Sequence, residues 1–378
     1  MLNRKIIYST VLICSLIIAA ISVFAQSEKS FNVTGGGTCD ISLNKGSVEI
    51  GTWNKDQVYV KALNVDKADL QNLSITQEQN TIVVKFQGDN SNRFKLEVSV
   101  PENFNLDVST AGGNIELNGN LKGNIDFSTG GGNIITGNVT GMVDVSTAGG
   151  NITTGDITGK ADLSTSGGEI KTGKISGSVD VSTFGGSISI KEVTEKADIS
   201  TMGGNISVGK VGSNADISTM GGNISVGNVN GSADISTAGG NISLGGALNS
   251  VNVSTGGGNI SLKNIKGKVD VSTGAGEIYI ELFPTGSELS SISTGVGNVK
   301  LMIPSDSKAT VTANVGYSGL WNDQNTSDYI KSDFPEATEN VHSDKKGDSL
   351  TKVFIINGGG TTVEVSTGMG KIEIRKMK

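Results

Sequence analysis

The decapeptide STMGGNISVG, Ser200–Gly209, returns unchanged at Ser218–Gly227, 18 residues further on. Units of the same kind begin at Asp107 (DVSTAGGNI), Asp126, Asp144, Asp162, Asp180, Asp198, Asp216, Asp234, Asn252 and Asp270. After a first step of 19, every spacing is 18, and a looser unit, SISTGVGNV, starts at Ser291 after an insertion near Phe283-Pro284. Self-similarity at one fixed period specifies a repeat architecture.

Within a unit, Ala161-Asp162-Leu163-Ser164-Thr165 alternates apolar and polar residues, the pattern of a strand with one buried face. Gly167-Gly168 break it, Glu169-Ile170-Lys171 alternates again, and Gly173 interrupts before a third buried point at Ile175. No apolar stripe of helical spacing is present. Three short strands per 18-residue coil, separated by glycine corners, predict an all-β chain folded as a single-domain parallel β-solenoid. Equivalent residues would stack ~4.8 Å apart, and the glycine pairs are expected to supply positive-φ corners. Right-handed winding is expected, because parallel crossovers have that hand. The left-handed hexapeptide solenoid also has 18 residues per coil, but its six-residue apolar spacing is absent; the steps here run 7, 5, 4 and 2.

Repetition is a thermodynamic requirement. A coil buries roughly five aliphatic side chains at about 1.5–3 kcal/mol each. Ordering its backbone costs on the order of 1–2 kcal/mol per residue. Only stacking, which adds ladder hydrogen bonds and continuous contact, makes the sum favourable.

The chain divides accordingly. Residues 1–25 read as a signal peptide: Arg4 and Lys5, an apolar run from Ile6 to Phe24, then Val23-Phe24-Ala25 as the cleavage pattern. An uncleaved membrane anchor is the alternative. Residues 26–106 hold degenerate coils, among them CDISLNKGSVEI at Cys39–Ile50, and form an N-terminal cap. Residues 107–303 are the regular solenoid. Residues 304–378 comprise an irregular excursion, 304–362, and capping strands that end in VEVSTGMGKIEI, Val363–Ile374. Caps are needed because an open solenoid end exposes unpaired strand edges.

Charge and cysteine content narrow the function. Removing Arg4 and Lys5 leaves 28 of 30 Lys+Arg against 37 Asp+Glu, a balance of about −9. With Arg93 and Arg375 as its only arginines, the mature chain is a poor partner for nucleic acid, and no stable membrane span remains after cleavage. Cys39 is then the only cysteine, so no intrachain disulfide forms, and it reads as a small buried hydrophobe.

The opening SFNVTGGGTCDISLNKGSVEIGTWNKDQVYVKA, the phrase VSVPENFNLDVSTAGGNIEL and the close VEVSTGMGKIEIRK resemble the bacterial putative-adhesin family of β-strand-repeat proteins, a domain family of unknown function. The resemblance covers nearly all of the mature chain. It implies an exported β-solenoid, periplasmic, on the cell surface or extracellular, that binds a surface ligand such as a glycan or an envelope protein.

Three polar columns are candidates for chemistry. Eight consecutive coils carry aspartate from Asp107 to Asp234, and neighbouring carboxylates at ~4.8 Å repel by roughly 1 kcal/mol in water. Corner N–H groups and Lys160, Lys196 and Lys268 would offset this. The alternative is a cation column at Asp144, Asp162, Asp180, Asp198, Asp216 and Asp234, whose carboxylates are hard oxygen ligands. The asparagines after the glycines, Asn114, Asn133, Asn151, Asn205, Asn223, Asn241 and Asn259, read as a structural ladder linking side-chain amides, which also accounts for sequons such as Asn151-Ile152-Thr153. In the Ser-Thr column, from Ser109-Thr110 to Ser293-Thr294, alternation sends serine outward and threonine inward or into the corner, which argues against an ice-binding threonine array.

No catalytic residue and no cofactor site is expected. His342, the single histidine, reads as a solvated loop residue beside Asp344, and no phosphate-binding loop or nucleophile elbow occurs. The alternative to a non-enzymatic binding module is a carbohydrate-active, polysaccharide-cleaving β-helix enzyme, which needs placed carboxylates and an aromatic platform. Its site would be the excursion, with Tyr317, Trp321, Asp323, Tyr329 and Asp333; otherwise these residues pack as a cap.

Overall fold

A computed structural model describes residues 25–89, 93–317, 328–344 and 347–377. The expected signal peptide lies outside the described residues except for Ala25. The fold is the all-β parallel solenoid read from the period. Each coil from Ala161–Thr165 and Ile170–Ile175 onward gives one strand to each of two parallel sheets. In the first sheet, Ala215–Thr219 pairs with Ala197–Thr201 on one side and Ala233–Thr237 on the other, with Asp216 opposite both Asp198 and Asp234. In the second, Ile224–Val229 lies between Ile206–Val211 and Ile242–Ala247. The register is identity with the residue 18 positions away, so like stacks on like. Alternation does the rest: Ala215, Ile217, Thr219, Ile224, Val226 and Val229 of one coil all face a single continuous core.

Two local expectations need correction. The second and third strands of a coil are separate only near the start, as in Ile134–Thr136 with Val139–Thr140. From Ile170–Ile175 onward they run as one. On the first coils the N–H after the glycine goes to a side chain. Asn138 Oδ1 takes the N–H of Asp156, and Asp156 Oδ1 takes that of Lys174, each at 2.8 Å, which diverts the ladder to side chains. At Lys174 and Glu192 the backbones pair directly and the strand continues.

The second correction concerns the glycine pairs. Gly203 and Gly221 are not among the positive-φ residues, and a Cβ on Gly203 would meet nothing nearer than the Gly185 carbonyl oxygen at 3.5 Å. The constraint falls on the second glycine. A Cβ on Gly204 would collide with the carbonyl oxygen of Gly186 directly beneath it, and Gly222 stands in the same relation to Gly204. Close stacking of backbone on backbone, not left-handed geometry, demands glycine here.

At both ends, stacking order departs from chain order. Gly37–Leu43 pairs in parallel with Phe104–Thr110, so the Cys39 unit sits directly below the Asp107 coil. The intervening chain forms the outer layer, ending in the antiparallel pair Thr81–Phe86 and Leu73–Glu78. The other end repeats the device. Val363–Met369 inserts between Ser290–Val296 and Ala309–Tyr317, and the outermost strands, Gly347–Ile356 and Thr338–Asp344, run antiparallel. Among the described residues the excursion holds the strands Ala309–Tyr317, Ile330–Ser332, Thr338–Asp344 and Gly347–Ile356. Aromatics plug the first end, where Phe86 and Phe94 stack with ring centres 4.0 Å apart.

Candidate functional site

The threonine and asparagine columns turn out to be scaffolding. Thr219 is buried; its Oγ1 donates to the Gly204 carbonyl at 3.0 Å and accepts the Gly222 N–H at 3.3 Å. The same pair of bonds recurs at Thr147, Thr165, Thr183, Thr201, Thr237 and Thr255, so each corner is tied to the coil below. Asparagine acts differently from the expected amide-to-amide ladder. Asn133 Oδ1 accepts the backbone N–H of Asn151, and Asn151 Oδ1 that of Glu169, both at 2.8 Å. Asn223, Asn241 and Asn259 continue the pattern, and only Asn241 also donates its side-chain amide to the preceding asparagine. A residue already engaged at both its backbone N–H and its side-chain oxygen is poorly placed as a glycan acceptor.

The aspartate column lies at the surface, with Asn252 donating to Asp234 Oδ1 at 3.3 Å. Asp126, Asp144, Asp162, Asp180, Asp216 and Asp234 are exposed on the outer face of the first sheet, Asp198 is half-buried, and the serine two residues on is half-exposed beside each. The column extends beyond the regular coils, since Asp40 is in register with Asp107. Partial burial, then the neighbouring aspartates, raises the carboxyl groups of Asp107, Asp144, Asp180 and Asp216 above the ordinary aspartate range. Lys160 and Lys196 oppose the rise, and Lys196 stands 3.7 Å from Asp198. Beside the column runs an open groove of about 420 Å³, with Asp216, Asp234, Asn252 and Asp270 along one wall, Ser232 and Ser250 along the other, and Lys196 and Lys268 at its ends. Among the described residues, no group of three or more aspartate, glutamate, histidine or cysteine side chains converges as a metal cage would.

Among the described excursion residues, Tyr329 and Asp333 have structural partners. Trp321 and Asp323 lie outside the described residues, as does the side chain of Tyr317. His342 falls in the edge strand Thr338–Asp344, opposite Ser349, and not in a loop. Tyr329 packs against the core. Asp333 is a clamp: it accepts the Lys376 N–H and a bond from Arg375, each at 3.0 Å, and these contacts hold its carboxyl below the usual range. Cys39 is fully buried, and burial followed by the Asp40 charge pushes its thiol up to about 12, which leaves it inert.

An aromatic, carboxylate-bearing groove does exist, but on the last coils. It measures about 380 Å³ and holds Tyr279, Glu277, Glu373, Lys300 and Lys371 on the second sheet. Glu277 accepts from Asn298 at 3.3 Å and Glu373 from Arg375 at 3.3 Å. Its sequence signal is a break in a column: Tyr279 stands where the preceding coil has Ser261.

No family model matches the chain, and no curated protein matches it. Solved structures are similar at low identity. One, called a putative adhesin, from Parabacteroides merdae, is 16% identical over 73% of this chain and 95% of its own, with a TM-score of 0.29. A second putative adhesin, from Parabacteroides distasonis, is 18% identical over 69% of this chain and 98% of its own, with a TM-score of 0.28. A putative lipid binding protein from the same species is 14% identical over 73% and 96%, with a TM-score of 0.22.

Proposed function

We propose that this chain is an exported rod of adhesin type, a non-enzymatic module that holds its ligand along the aspartate–serine face of the first sheet. The observation that carries the reading is the repetition of one exposed Asp-x-Ser motif on consecutive coils, at a spacing set by the backbone ladder. Weak contacts repeated along a rigid line add by effective concentration, which suits an extended polymer. Outward carboxylates, serines and flanking lysines fit a hydroxyl-rich chain such as a glycan, or a basic stretch of an envelope protein. Among the described residues no helix is long and apolar enough to cross a membrane. Export into the periplasm or beyond rests on the N-terminal pattern.

The Tyr279 groove favours a second reading, polysaccharide cleavage, because it combines a ring with Glu277 and Glu373. One experiment separates the two. Purified residues 26–378 are tested for retention on immobilised polysaccharides and for release of reducing ends from soluble ones, with and without calcium. The binding reading expects retention that declines stepwise as 18-residue coils are deleted, and no turnover. Cleavage that Glu277→Gln or Glu373→Gln abolishes would replace it with the enzyme. A calcium requirement removed by Asp144→Asn, Asp180→Asn and Asp216→Asn together would establish the cation column.

A further inference from the structure

We propose that a second copy of this chain packs against it, side by side and head to tail, through a ridge of Phe184, Met202 and Met220. These three residues follow the threonine on three adjacent coils and are 65%, 42% and 57% exposed. The position makes no demand for size. It is Ala148 and Ser166 on the coils before and Ala238 and Gly256 on those after, with the same fold throughout. The ridge therefore contributes little to the core and exposes a cluster of large apolar side chains to water.

Charge selects the occupant. The protein carries a net charge of −7, and both sheet faces bear ionised side chains. The corner that carries the ridge bears none on the coils from Asp107 onward; Lys45, beneath Gly112, is the charge on the coil below them. From Ala111-Gly112-Gly113 through Phe184-Gly185-Gly186 and Met202-Gly203-Gly204 to Gly368-Met369-Gly370, no Asp, Glu, Lys or Arg occurs on it in any of twelve coils. It is the line along which two acidic rods approach without opposing like charges. The exposed first glycines, Gly185, Gly203 and Gly221, keep the surface beside the ridge low enough for its side chains to be covered.

Position selects the orientation. Among the described residues the first sheet is a stack of eighteen strands, from Leu73–Glu78 at one end to Thr338–Asp344 at the other. Those preceding Phe184, Met202 and Met220 are the eighth, ninth and tenth. The ridge thus marks the middle of the rod. A two-fold axis through Met202 sets Met202 against itself and Phe184 against Met220 of the second copy, and it overlaps the two rods over their full length. Twelve coils at ~4.8 Å, with an edge ~10 Å wide, bury roughly 600 Å² per copy. The total of about 1,200 Å² is at the small end of specific interfaces, as expected for a reversible dimer.

The test is sedimentation equilibrium of residues 26–378 from about 1 to 200 µM, the range in which reversible dimers of this size dissociate. The wild type should be a monomer–dimer mixture, and Met202→Glu, which opposes two like charges on the axis, should raise Kd by more than about tenfold. Phe184→Ser should weaken the dimer without changing the melting temperature. Copper-catalysed oxidation tests the orientation: Met202→Cys should form a disulfide-linked dimer, whereas Ala148→Cys should link only when mixed with Gly256→Cys. A wild type that stays monomeric throughout, or a dimer that Met202→Glu leaves intact, overturns the proposal. Self-linking of Ala148→Cys would overturn the head-to-tail arrangement. Flotation of a monomeric wild type with neutral phosphatidylcholine vesicles, lost in Met202→Glu, would assign the ridge to a lipid surface instead.

Discussion

Replacing each glycine of one corner separately by alanine tests the physical basis of the coil. At Gly203 the added methyl reaches no atom closer than 3.5 Å, the residue is exposed, and its φ is not left-handed. Gly203→Ala is therefore expected to be neutral or to stabilise by up to ~1 kcal/mol, through lost freedom of the unfolded chain. At Gly204 the same methyl collides with the Gly186 carbonyl oxygen, which belongs to the backbone and cannot swing aside as a side chain would. Relief requires lifting one coil off the next, and overpacking of this kind costs about 1–3 kcal/mol. Native-state hydrogen exchange reads the effect coil by coil. For Gly204→Ala, amides of Ile206 and Val208 should exchange about 5- to 150-fold faster than in the wild type, while Gly203→Ala leaves them unchanged. Equal effects at the two positions, or a larger one at Gly203, would refute stacking distance as the reason for the glycine.

Thr219→Val keeps the shape but removes the hydroxyl that serves the Gly204 carbonyl and the Gly222 N–H, so urea denaturation should reveal a loss of about 1–3 kcal/mol. Deleting Asp198–Ala215 removes one whole coil and should leave a folded, shorter rod by circular dichroism and proteolysis, whereas deleting Asp198–Ile206 should misplace the apolar set and unfold the neighbourhood. The raised carboxyls of Asp107, Asp144, Asp180 and Asp216 bind protons more tightly in the rod than in the unfolded chain, so their share of stability is present at acid pH and lost as pH rises through the raised values. Asp333, with its carboxyl lowered, works the other way and loses its contribution as pH falls through its own value. The urea midpoint of the Asp144→Asn, Asp180→Asn, Asp216→Asn variant should accordingly fall less than the wild type's between pH 4 and pH 7, and 1 M sodium chloride should shrink the difference.

Much of the regular region was legible because its information is local. Alternation in Ala-Asp-Leu-Ser-Thr assigns inside and outside residue by residue, and the 18-residue period states which residues stack. Even the critical second glycine had a signal. In the last units the first glycine of the pair gives way to Ala275, Val296 and Met369, while Gly276, Gly297 and Gly370 persist. The aspartate face followed from the same alternation. The Tyr279 groove was visible only as an interrupted column, because its walls come from strands far apart in the chain, Ile278–Phe283 and Ile372–Lys376.

The sequence by itself determined the coil: its length, its buried set and the absence of any helix-forming stripe. Tertiary structure alone decided what the coil rests on. Nothing local in Cys39–Ile50 or Val363–Ile374 states that these units lie beneath the outer caps and not at the ends, because alternating strands of similar composition can pair in many orders. The order is set by which edges can be left exposed. The antiparallel strands Leu73–Glu78 and Thr338–Asp344 close the stack, and the units that can continue a parallel ladder on both sides are taken inside it. The same global count puts Phe184, Met202 and Met220 at the middle of the rod, a position that has meaning only once every strand has found its place.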